Sequence, residues 1–360
     1  MDERWRQARR WLCVRLDAIG DVLMTTPAIR AVRESKPKAH ITLLTSPAGA
    51  EAAALVPEID EVMVYDAPWM KATLERTDSA LDLAFIDRLA RECFDAAIIF
   101  TVYSQNPLPS AMLCYLADIP LRMAYCRENP YQLLTDWQTE DEPHEFVRHE
   151  VRRQLDLVRT IGCRTGDERL SLHVPNEASI SMEALLTREG LDVGKPWLVM
   201  HPGASAPSRR YPAELFAEVA DQLALKRRYQ IVLTGSAAEI DLVEHVRSTM
   251  KAPSLSLAGR IELDELAAVV RAAPVLISNN TGPVHIAAAV GTPVVDLYAL
   301  TNLQHTPWAV PHRVLFHDVP CKNCYKSICP EGHHHCLTLV PPEEVVRAAV
   351  EMANVKRHML

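Results

Sequence analysis

Glycine is scarce in this chain. It accounts for 12 of 360 residues, about 3%, where ~7% is typical of globular proteins. Because glycine reaches backbone conformations that other residues avoid, a chain with so little of it is expected to keep glycine mainly where the backbone demands it. Each glycine beside a motif therefore serves as a marker of a tight turn.

Long apolar runs are absent as well. No apolar stretch approaches the roughly 18 residues of a membrane span, so none is predicted. Residues 1–21 include a basic stretch but neither a long apolar region nor a small-residue cleavage site, so no secretory signal is expected. The predicted location is the cytoplasm, with any membrane contact peripheral.

Positive charge is not in excess. Lys and Arg number 38 while Asp and Glu number 46, which gives a formal net charge of −8. This balance argues against a protein held to nucleic acid by its overall charge, so no nucleic-acid partner is predicted. The sequence also lacks a Gly-x-Gly-x-x-Gly fingerprint, which excludes the usual dinucleotide-dependent enzyme.

Apolar strands alternate with helical segments in two halves of the chain. Strands are predicted at 11–16, 41–45, 61–65 and 96–100, and the alternation resumes at 197–201. This order predicts an α/β protein with parallel sheets, in two Rossmann-like domains facing across a cleft. Ligands of such sheets bind at the carboxyl ends of strands, where loops lead into helices.

The length also favours two domains, at ~100–200 residues each. Residues 163–180 are polar and mixed and the alternation restarts at 197, which places the boundary between about 174 and 195. The predicted divisions are an N-terminal domain (1–175), a linker (176–195), a C-terminal domain (196–342) and a C-terminal helix (343–360).

The first motif is the turn from residue 17 to residue 21. Gly20 lets the chain pass sharply from strand to helix, and Asp21 falls in the first helical turn. One interpretation is structural, because carboxylates compensate the helix dipole at that position. The other is functional and makes Asp21 a general base at the cleft.

A second motif follows the strand that ends at His201. Small residues such as Gly203 and Ser205 would keep this loop close to a ligand, and Arg209 and Arg210 offer planar forks for phosphate oxygens. The alternative is a solvated loop with surface arginines. Placement at a strand end makes anion binding about as favoured as that alternative.

A third motif lies at the next strand-to-helix turn. Gly235 permits the turn, Ser236 can cap the helix, and Glu239 stands three residues later as a capping-box partner. Binding of ribose hydroxyls by Glu239 competes with that structural interpretation.

The fourth motif, residues 278–293, is the most informative. Asn280 or Thr281 can cap a helix whose first turn holds Gly282 and Pro283. Free backbone N–H groups and the positive end of the dipole then form a phosphate site. His285 could reach the same anion, although a single histidine more often has a structural role.

Four of the nine cysteines fall within the loop 321–336. They are spaced Cys-x2-Cys-x4-Cys-x6-Cys, at Cys321, Cys324, Cys329 and Cys336. Such density in a cytoplasmic chain suggests structural zinc or iron before disulfides. The alternative is a loop of reduced cysteines held by packing.

Taken together, these motifs resemble glycosyltransferase family 9, the ADP-heptose:lipopolysaccharide heptosyltransferases. The resemblance covers nearly the whole chain, and residues 20–23 with Pro27 begin it. It continues through segments 201–204, 209–212 and 235–239 and the fourth motif. The cysteine loop looks like the C-terminal stretch of the heptosyltransferase II branch.

The resemblance implies a GT-B fold, with the acceptor bound by the first domain and the nucleotide sugar by the second. It implies inverting transfer of heptose from ADP-heptose to a hydroxyl of a glycan or glycolipid in lipopolysaccharide biosynthesis, without a catalytic metal. Asp21 matches the family's general base, and Arg209 matches the basic residue that stabilises the leaving diphosphate. The expected nucleotide-sugar residues are Gly203, Ser205, Arg210, Gly235, Ser236, Glu239, Asn280, Thr281, Gly282 and His285. The expected acceptor residues are Tyr103, Gln105, Asn106 and Arg127.

The chain departs from the family pattern at two positions. Arg209 stands where the family usually has lysine, which keeps the charge and adds bidentate capacity. Heptosyltransferases commonly have Asp-Thr-Gly where this chain has Asn280-Thr281-Gly282. Asparagine donates and accepts hydrogen bonds but carries no charge, which leaves the donor sugar open. Residues 103–109 and 127–131 also lack the basic patch suited to an anionic inner-core lipid, which leaves the acceptor open.

Two other functions stay open on the sequence. One keeps the GT-B enzyme but uses another nucleotide sugar, linked to UDP or GDP. The other is a non-catalytic nucleotide- or metal-binding module centred on the cysteine loop. The presence of both Asp21 and Arg209 argues against the second.

Overall fold

The computed structural model describes residues 3–71, 73–301 and 304–359. The chain divides into two compact units, Met1–Leu172 and His173–Leu360. Each unit is built around a six-stranded sheet. All recorded strand pairs are parallel, which confirms the predicted α/β class.

The first unit has strand order β3-β2-β1-β4-β5-β6. Its strands are β1 (Arg10–Arg15), β2 (His40–Thr45), β3 (Glu61–Val64), β4 (Ala96–Ile99), β5 (Leu121–Cys126) and β6 (Asp136–Thr139). Its helices are α1 (Glu3–Gln7), α2 (Ile19–Ser35), α3 (Pro47–Ala53), α4 (Ala80–Arg91), α5 (Leu108–Leu116) and α6 (Glu150–Thr160).

The second unit repeats this layout, with order β12-β11-β10-β7-β8-β9. Its strands are β7 (Trp197–His201), β8 (Gln230–Leu233), β9 (Ser254–Ser256), β10 (Leu276–Asn279), β11 (Val294–Leu297) and β12 (His312–Leu315). Its α-helices are α7 (Asn176–Arg188), α8 (Ala213–Asp221), α9 (Ile240–Thr249), α10 (Leu263–Ala272), α11 (Gly282–Val290), α12 (His335–Thr338) and α13 (Pro342–Met359). Short 3-10 turns cover Pro207–Arg209 and Ala237–Glu239, and a π-helical turn covers Gln222–Lys226.

The central strands are buried on both faces. In β1, every residue from Trp11 to Arg15 is buried, and β10 is buried throughout. Helices cover both faces of a parallel sheet, so its strands appear as continuous apolar runs rather than alternating ones. This is why the central strands were predictable from sequence, whereas the edge strand β6, with its alternating exposure, was not.

Residues 176–195, predicted as a linker, contain helix α7 and belong to the second unit. Its buried residues Ala178, Met182 and Leu186 recur every four positions, which gives a narrow apolar stripe. The Ser181 hydroxyl donates to Glu265 Oε1 at 3.1 Å and so ties α7 to α10. A stripe this narrow among polar residues explains why the helix was missed.

No helix within the described ranges is both long enough and apolar enough to cross a membrane.

Helix α3 packs closely because residue 49 is glycine. A Cβ atom at Gly49 would overlap Thr45 Oγ1, and it would lie 2.9 Å from Val22 Cγ2 and 3.0 Å from the Asp17 carbonyl oxygen. We therefore expect Gly49→Ala to lower the free energy of unfolding by about 1–3 kcal/mol through overpacking. Gly166→Ala is the matched control, since a Cβ atom at Gly166 would have no neighbour within 4 Å. Urea unfolding followed by circular dichroism measures both variants, and equal stabilities would contradict the packing argument.

Candidate active site

Many of the candidate site residues follow the strands at which the order of each sheet reverses. In the first unit these strands are β1 and β4, which pair directly. In the second unit they are β7 and β10, which also pair directly. Connections from such neighbouring strands lead away in opposite directions and leave a crevice at the carboxyl edge, where α/β sheets bind ligands. Each unit therefore has a candidate site at its own point of reversal.

Asp21 lies just beyond β1, in the first turn of α2. Residue 18, the N-cap, is alanine and caps nothing with its side chain. The Asp21 carboxylate is paired with Arg15, whose Nη2 lies 3.0 Å from Asp21 Oδ1, and 24% of its side chain is exposed. The buried Arg15 therefore holds the Asp21 carboxylate in place, while part of that carboxylate stays accessible to solvent.

Arg15 is a fully buried cation shared by three carboxylates. Its Nε lies 2.9 Å from Asp17 Oδ2, and its Nη1 lies 2.8 Å from Glu150 Oε1, in addition to the Asp21 pair. Burial raises the pKa of Asp17 to about 6, with Arg15 opposing the shift and Asp21 adding to it. We call Arg15, Asp17, Asp21 and Glu150 the Arg15 cluster.

Arg15, Asp17 and Glu150 are site residues that the sequence motifs did not predict. The available signal was an arginine within an otherwise apolar strand, since a buried charge needs partners. Glu150 is 135 positions away in the chain, so that partner could not be identified from the motif.

A cavity of about 210 Å³ lies at the carboxyl ends of β4 and β5 in the first unit. Its lining includes Gln105, Asn106 and Arg127, three of the four residues predicted to bind the acceptor, together with Glu128 and Glu140. The structure thus brings these three predicted residues together around one polar space.

Tyr103, the fourth predicted acceptor residue, does not line this cavity. Its side chain is buried, and its carbonyl oxygen accepts a hydrogen bond from Arg127 Nη2 at 2.7 Å. Arg127 also donates to the Glu142 carbonyl at 2.5 Å. Tyr103 therefore contacts a lining residue through its backbone.

Gln105 connects this cavity to the Arg15 cluster. Its Nε2 donates to Asp17 Oδ1 at 2.6 Å, and its Oε1 accepts from the Val102 N–H at 3.2 Å. Both ends of the amide are engaged, so the side chain is fixed between the cavity and Asp17. A ligand in the cavity would lie beside the cluster that holds Asp21.

In the second unit, the loops after β7 and β8 meet at Gly203 and Glu239. A Cβ atom at Gly203 would overlap the Glu239 carboxyl group, so only glycine permits this approach. Glu239 Oε2 accepts from the Ser236 N–H at 2.8 Å and from the Ser236 hydroxyl at 2.9 Å. The capping box expected from the sequence is present, and within the described residues no donor is recorded for Glu239 Oε1.

The predicted residue Gly235 and the strand-end residue His201 accompany this contact. A Cβ atom at Gly235 would lie 2.9 Å from Val243 Cγ2, which shows that the turn is closely packed. His201 Nε2 lies 3.6 Å from Glu239 Oε2, and burial lowers the pKa of His201.

The two arginines of the loop after β7 differ in their contacts. Arg210 Nε donates to the Ala204 carbonyl at 2.8 Å and so helps to fold its own loop. Arg209 ends the 3-10 turn, and in the part of the chain that the structure describes no hydrogen bond or ion pair is recorded for its guanidinium. Ser205 is exposed in the same loop. Arg209 therefore has its whole guanidinium available for an anion, whereas one of the three nitrogens of Arg210 is already bound.

Asn279, at the end of β10, is a buried residue that the sequence motifs did not assign to the site. Its Oδ1 accepts from the Tyr211 N–H at 2.9 Å, and its Nδ2 donates to the Pro202 carbonyl at 2.7 Å. These two bonds fasten both ends of the loop that carries Arg209 and Arg210. An asparagine directly after a buried strand was the only sequence signal for this role.

Helix α11 begins directly after β10. Its N-cap, Thr281, makes no side-chain cap hydrogen bond, and Gly282 and Pro283 open the first turn. This leaves the helix N-terminus without a capping side chain at the carboxyl edge of the sheet, as an anion site requires. His285 is buried in the first turn, and Asn280 Nδ2 donates to Asp296 Oδ2 at 3.0 Å.

The four clustered cysteines line one small cavity of about 20 Å³, together with His333 and His334. Burial raises the pKa of the Cys336 thiol, and the other three thiols add to the shift. Among the residues described, however, no group of three or more Cys, His, Asp or Glu side chains is arranged to hold a metal ion. Zinc or iron at this cluster stays a prediction.

The cysteine loop also supports the turn that carries Arg209. The Ser208 N–H donates to the Ser327 carbonyl at 3.0 Å, and the Ser208 hydroxyl donates to the Lys326 carbonyl at 2.7 Å. The loop thus has a structural role next to the candidate anion site.

Comparison with known proteins supports the predicted family. The sequence profile of glycosyltransferase family 9 (heptosyltransferase) matches residues 83–335. Lipopolysaccharide heptosyltransferase 2 of Salmonella typhimurium is 25% identical over 339 residues, which cover 91% of this chain and 94% of that protein.

Solved structures show the same fold. A glycosyltransferase family 9 protein from Veillonella parvula superposes with a TM-score of 0.81 at 23% identity, covering 99% of both chains. E. coli ADP-heptose lipopolysaccharide heptosyltransferase II superposes with a TM-score of 0.76 at 22% identity, covering 97% of this chain and 99% of that one. The predicted GT-B fold is confirmed. Because the family profile matches well over half of the chain, the protein belongs to glycosyltransferase family 9 and is a glycosyltransferase.

Proposed function

We propose that this enzyme transfers a heptose from ADP-heptose to a hydroxyl group of a glycan or glycolipid, with inversion at the anomeric carbon. The observation that carries the proposal is Asp21, held by the buried Arg15 at the reversal point of the first sheet. The names of the relatives support the chemical class, since one is a lipopolysaccharide heptosyltransferase and another an ADP-heptose lipopolysaccharide heptosyltransferase.

The acceptor is assigned to the first unit. The polar cavity at β4 and β5 offers amide, carboxylate and guanidinium groups from Gln105, Asn106, Glu128 and Arg127, and a sugar hydroxyl can both donate to and accept from such a set. Gln105 places this cavity next to Asp17, and so next to the cluster that holds Asp21. Lipopolysaccharide is the acceptor class that the relatives' names suggest.

The donor is assigned to the second unit. Ribose or base atoms are assigned to Glu239 Oε1 and Ser205, and the diphosphate is assigned to Arg209 and the N-terminus of α11. Arg209 rather than Arg210 is assigned because Arg210 is bound to the Ala204 carbonyl.

The proposed reaction is a single displacement. The acceptor oxygen forms a bond to C1 of the sugar while the bond from C1 to the diphosphate oxygen breaks, and the hydroxyl proton passes to Asp21. The negative charge that builds on ADP is stabilised by Arg209 and by the helix N-terminus. The chain's own groups supply both the base and the anion site in this proposal.

Substitution of Asp21 tests the base assignment. Asp21→Asn keeps the size of the side chain but cannot accept the proton, so kcat should fall by about 10²–10⁴-fold while the Kd for ADP stays within about twofold. Asp241→Asn is the matched control, because Asp241 also lies in the first turn of a helix, α9. Mass spectrometry of heptose transfer to inner-core lipopolysaccharide measures kcat, and calorimetry measures Kd.

If Asp21 served only to compensate the helix dipole, the two asparagine variants would behave alike. Full turnover by Asp21→Asn would remove the residue from the base role. Transfer from UDP- or GDP-linked sugars, but not from ADP-heptose, would overturn the donor assignment.

The two arginines should differ when each is replaced. Arg209→Ala should lower kcat/KM by about 10²-fold, since a charge-stabilising donor to the leaving group is lost. Arg209→Lys should recover part of this loss because it keeps the charge without the fork. Arg210→Ala serves as the comparison and should cost less, and the reverse order in steady-state kinetics would reassign the diphosphate to Arg210.

The Arg15 cluster should make the rate depend on pH. Below a pH of about 6, Asp17 gains a proton and loses its charge, so Arg15 binds Asp21 more strongly and weakens it as a proton acceptor. The rate should therefore fall as the pH drops through about 6. Asp17→Asn mimics the protonated residue, so its rate at pH 8 should be low and its profile flat through pH 6. A wild-type profile in Asp17→Asn, measured as kcat from pH 5 to 9, would contradict this role.

A further inference from the structure

Asp296 is a buried carboxyl group that the proposed chemistry does not use. It lies on β11, none of its surface is exposed, and its strand neighbours Val295 and Leu297 belong to the apolar core. Because side chains alternate along a strand, Asp296 points to the other face of the sheet from those two. A carboxyl group in such a place is costly to bury and calls for an explanation.

The contacts of Asp296 lead to Asn280. Asn280 Nδ2 donates to Asp296 Oδ2 at 3.0 Å, and its second hydrogen goes to the His305 carbonyl at 2.9 Å. The backbone N–H of Asn280 donates to the Leu297 carbonyl at 3.2 Å, which keeps residue 280 beside β11. The amide of Asn280 is thus bound from two sides.

Two acceptors facing one amide fix its orientation. Both the Asp296 oxygen and the His305 carbonyl accept hydrogen bonds, so the Nδ2 end must face them and the Oδ1 end must face away. Across the described ranges no donor is recorded for Asn280 Oδ1. That atom lies directly after β10 and before α11, at the edge where the second sheet is expected to bind its ligand.

Arg209 belongs to the same neighbourhood. Its charge acts on Asp296 and opposes the effect of burial, which raises the pKa of Asp296 to about 8. With or without a proton, the carboxyl group keeps Oδ2 as an acceptor for the Asn280 amide. Asp296 Oδ1 has no hydrogen-bond partner in the part of the chain described here.

We propose that Asp296 is a positioning residue that turns the Asn280 amide so that its carbonyl oxygen accepts a hydrogen bond from a hydroxyl of the donor sugar. The oriented amide of Asn280 would then present a hydrogen-bond acceptor to the sugar, as an aspartate at position 280 could do without a partner. This inference rests on the assignment of the nucleotide sugar to the second unit, and it adds the group that meets the sugar rather than the nucleotide.

The first test asks whether residue 296 acts as a hydrogen-bond acceptor for Asn280 or only fills space in the interior. Asp296→Asn keeps an oxygen that can accept from Asn280, so its KM for ADP-heptose should stay within about twofold of wild type. Asp296→Val removes the acceptor, so KM should rise about three- to tenfold, the effect of one hydrogen bond, with kcat much less changed. Calorimetry should show weaker binding of ADP-heptose and unchanged binding of ADP.

The second test exchanges the two groups and remains decisive if Asp296→Val does not fold. Asn280→Asp removes both amide hydrogens and leaves a proton on Asp296 as the one hydrogen available to the pair, so ADP-heptose should bind more weakly, most of all above the Asp296 pKa of about 8. Asn280→Asp combined with Asp296→Asn restores a donor between residues 296 and 280 and should recover most of the affinity, a coupling that a double-mutant cycle measures.

Three results would overturn the proposal. One is wild-type ADP-heptose affinity in Asp296→Val, another is equal or tighter binding by Asn280→Asp with Asp296 in place, and the third is no recovery in the double variant. Failure of the wild-type protein to bind ADP or ADP-heptose at all would instead overturn the proposed function, and with it this inference. ADP binding with altered sugar binding is the pattern that supports both.

Discussion

The direction of the chain through two parallel sheets is the constraint on which the site depends. In each sheet the second and third strands lie successively on one side of the first strand. The fourth strand then pairs with the opposite side of the first strand. The loops that follow the first and fourth strands lead in opposite directions, so a crevice stays open between them at the carboxyl edge of the sheet. The Asp21 turn and the Asn280 turn each follow one of these strands, so topology alone brings them to an edge where a ligand can be reached.

The carboxyl edges of the two sheets differ in charge, being negative near Asp21 and positive near Arg209. In the first unit, one buried guanidinium meets three carboxylates, so negative charge is in excess around Asp21. Burying Arg15 would be costly without such partners, and removing Arg15 would leave three neighbouring carboxylates uncompensated. In the second unit, Arg209 and an uncapped helix N-terminus supply positive character. An acid-rich edge suits removal of a proton, and a positive edge suits a departing diphosphate.

The sequence was sufficient for local features and insufficient for distant partners. Most strands buried on both faces, the glycine turns and the Ser236–Glu239 capping box were predictable because each depends on neighbours within a few positions. Strands β6 and β12 and helix α7 were missed, since their apolar patterns are short or narrow. Strand β5 was missed although all of its residues are buried, because Arg122 interrupts its apolar run. The partners of Asp21 were missed for another reason: Glu150 joins Arg15 across 135 positions, and nothing local marks that contact.

Asn280 shows why a motif position can be interpreted only together with its spatial neighbours. From the sequence alone, Asn280 is an uncharged residue at a position where heptosyltransferases commonly have aspartate, which leaves the donor sugar open. In the structure, its amide is oriented by Asp296, sixteen positions later on the adjacent strand. An amide whose two hydrogens are both bound has its carbonyl oxygen fixed in one direction, so that oxygen can accept a hydrogen bond as a carboxylate oxygen can. What changes is the position of the carboxyl group, which lies in the interior of the sheet rather than at its edge, and there burial raises its pKa to about 8 and favours the neutral acid. The donor site would then keep its hydrogen-bond acceptor while placing no additional negative charge beside the diphosphate.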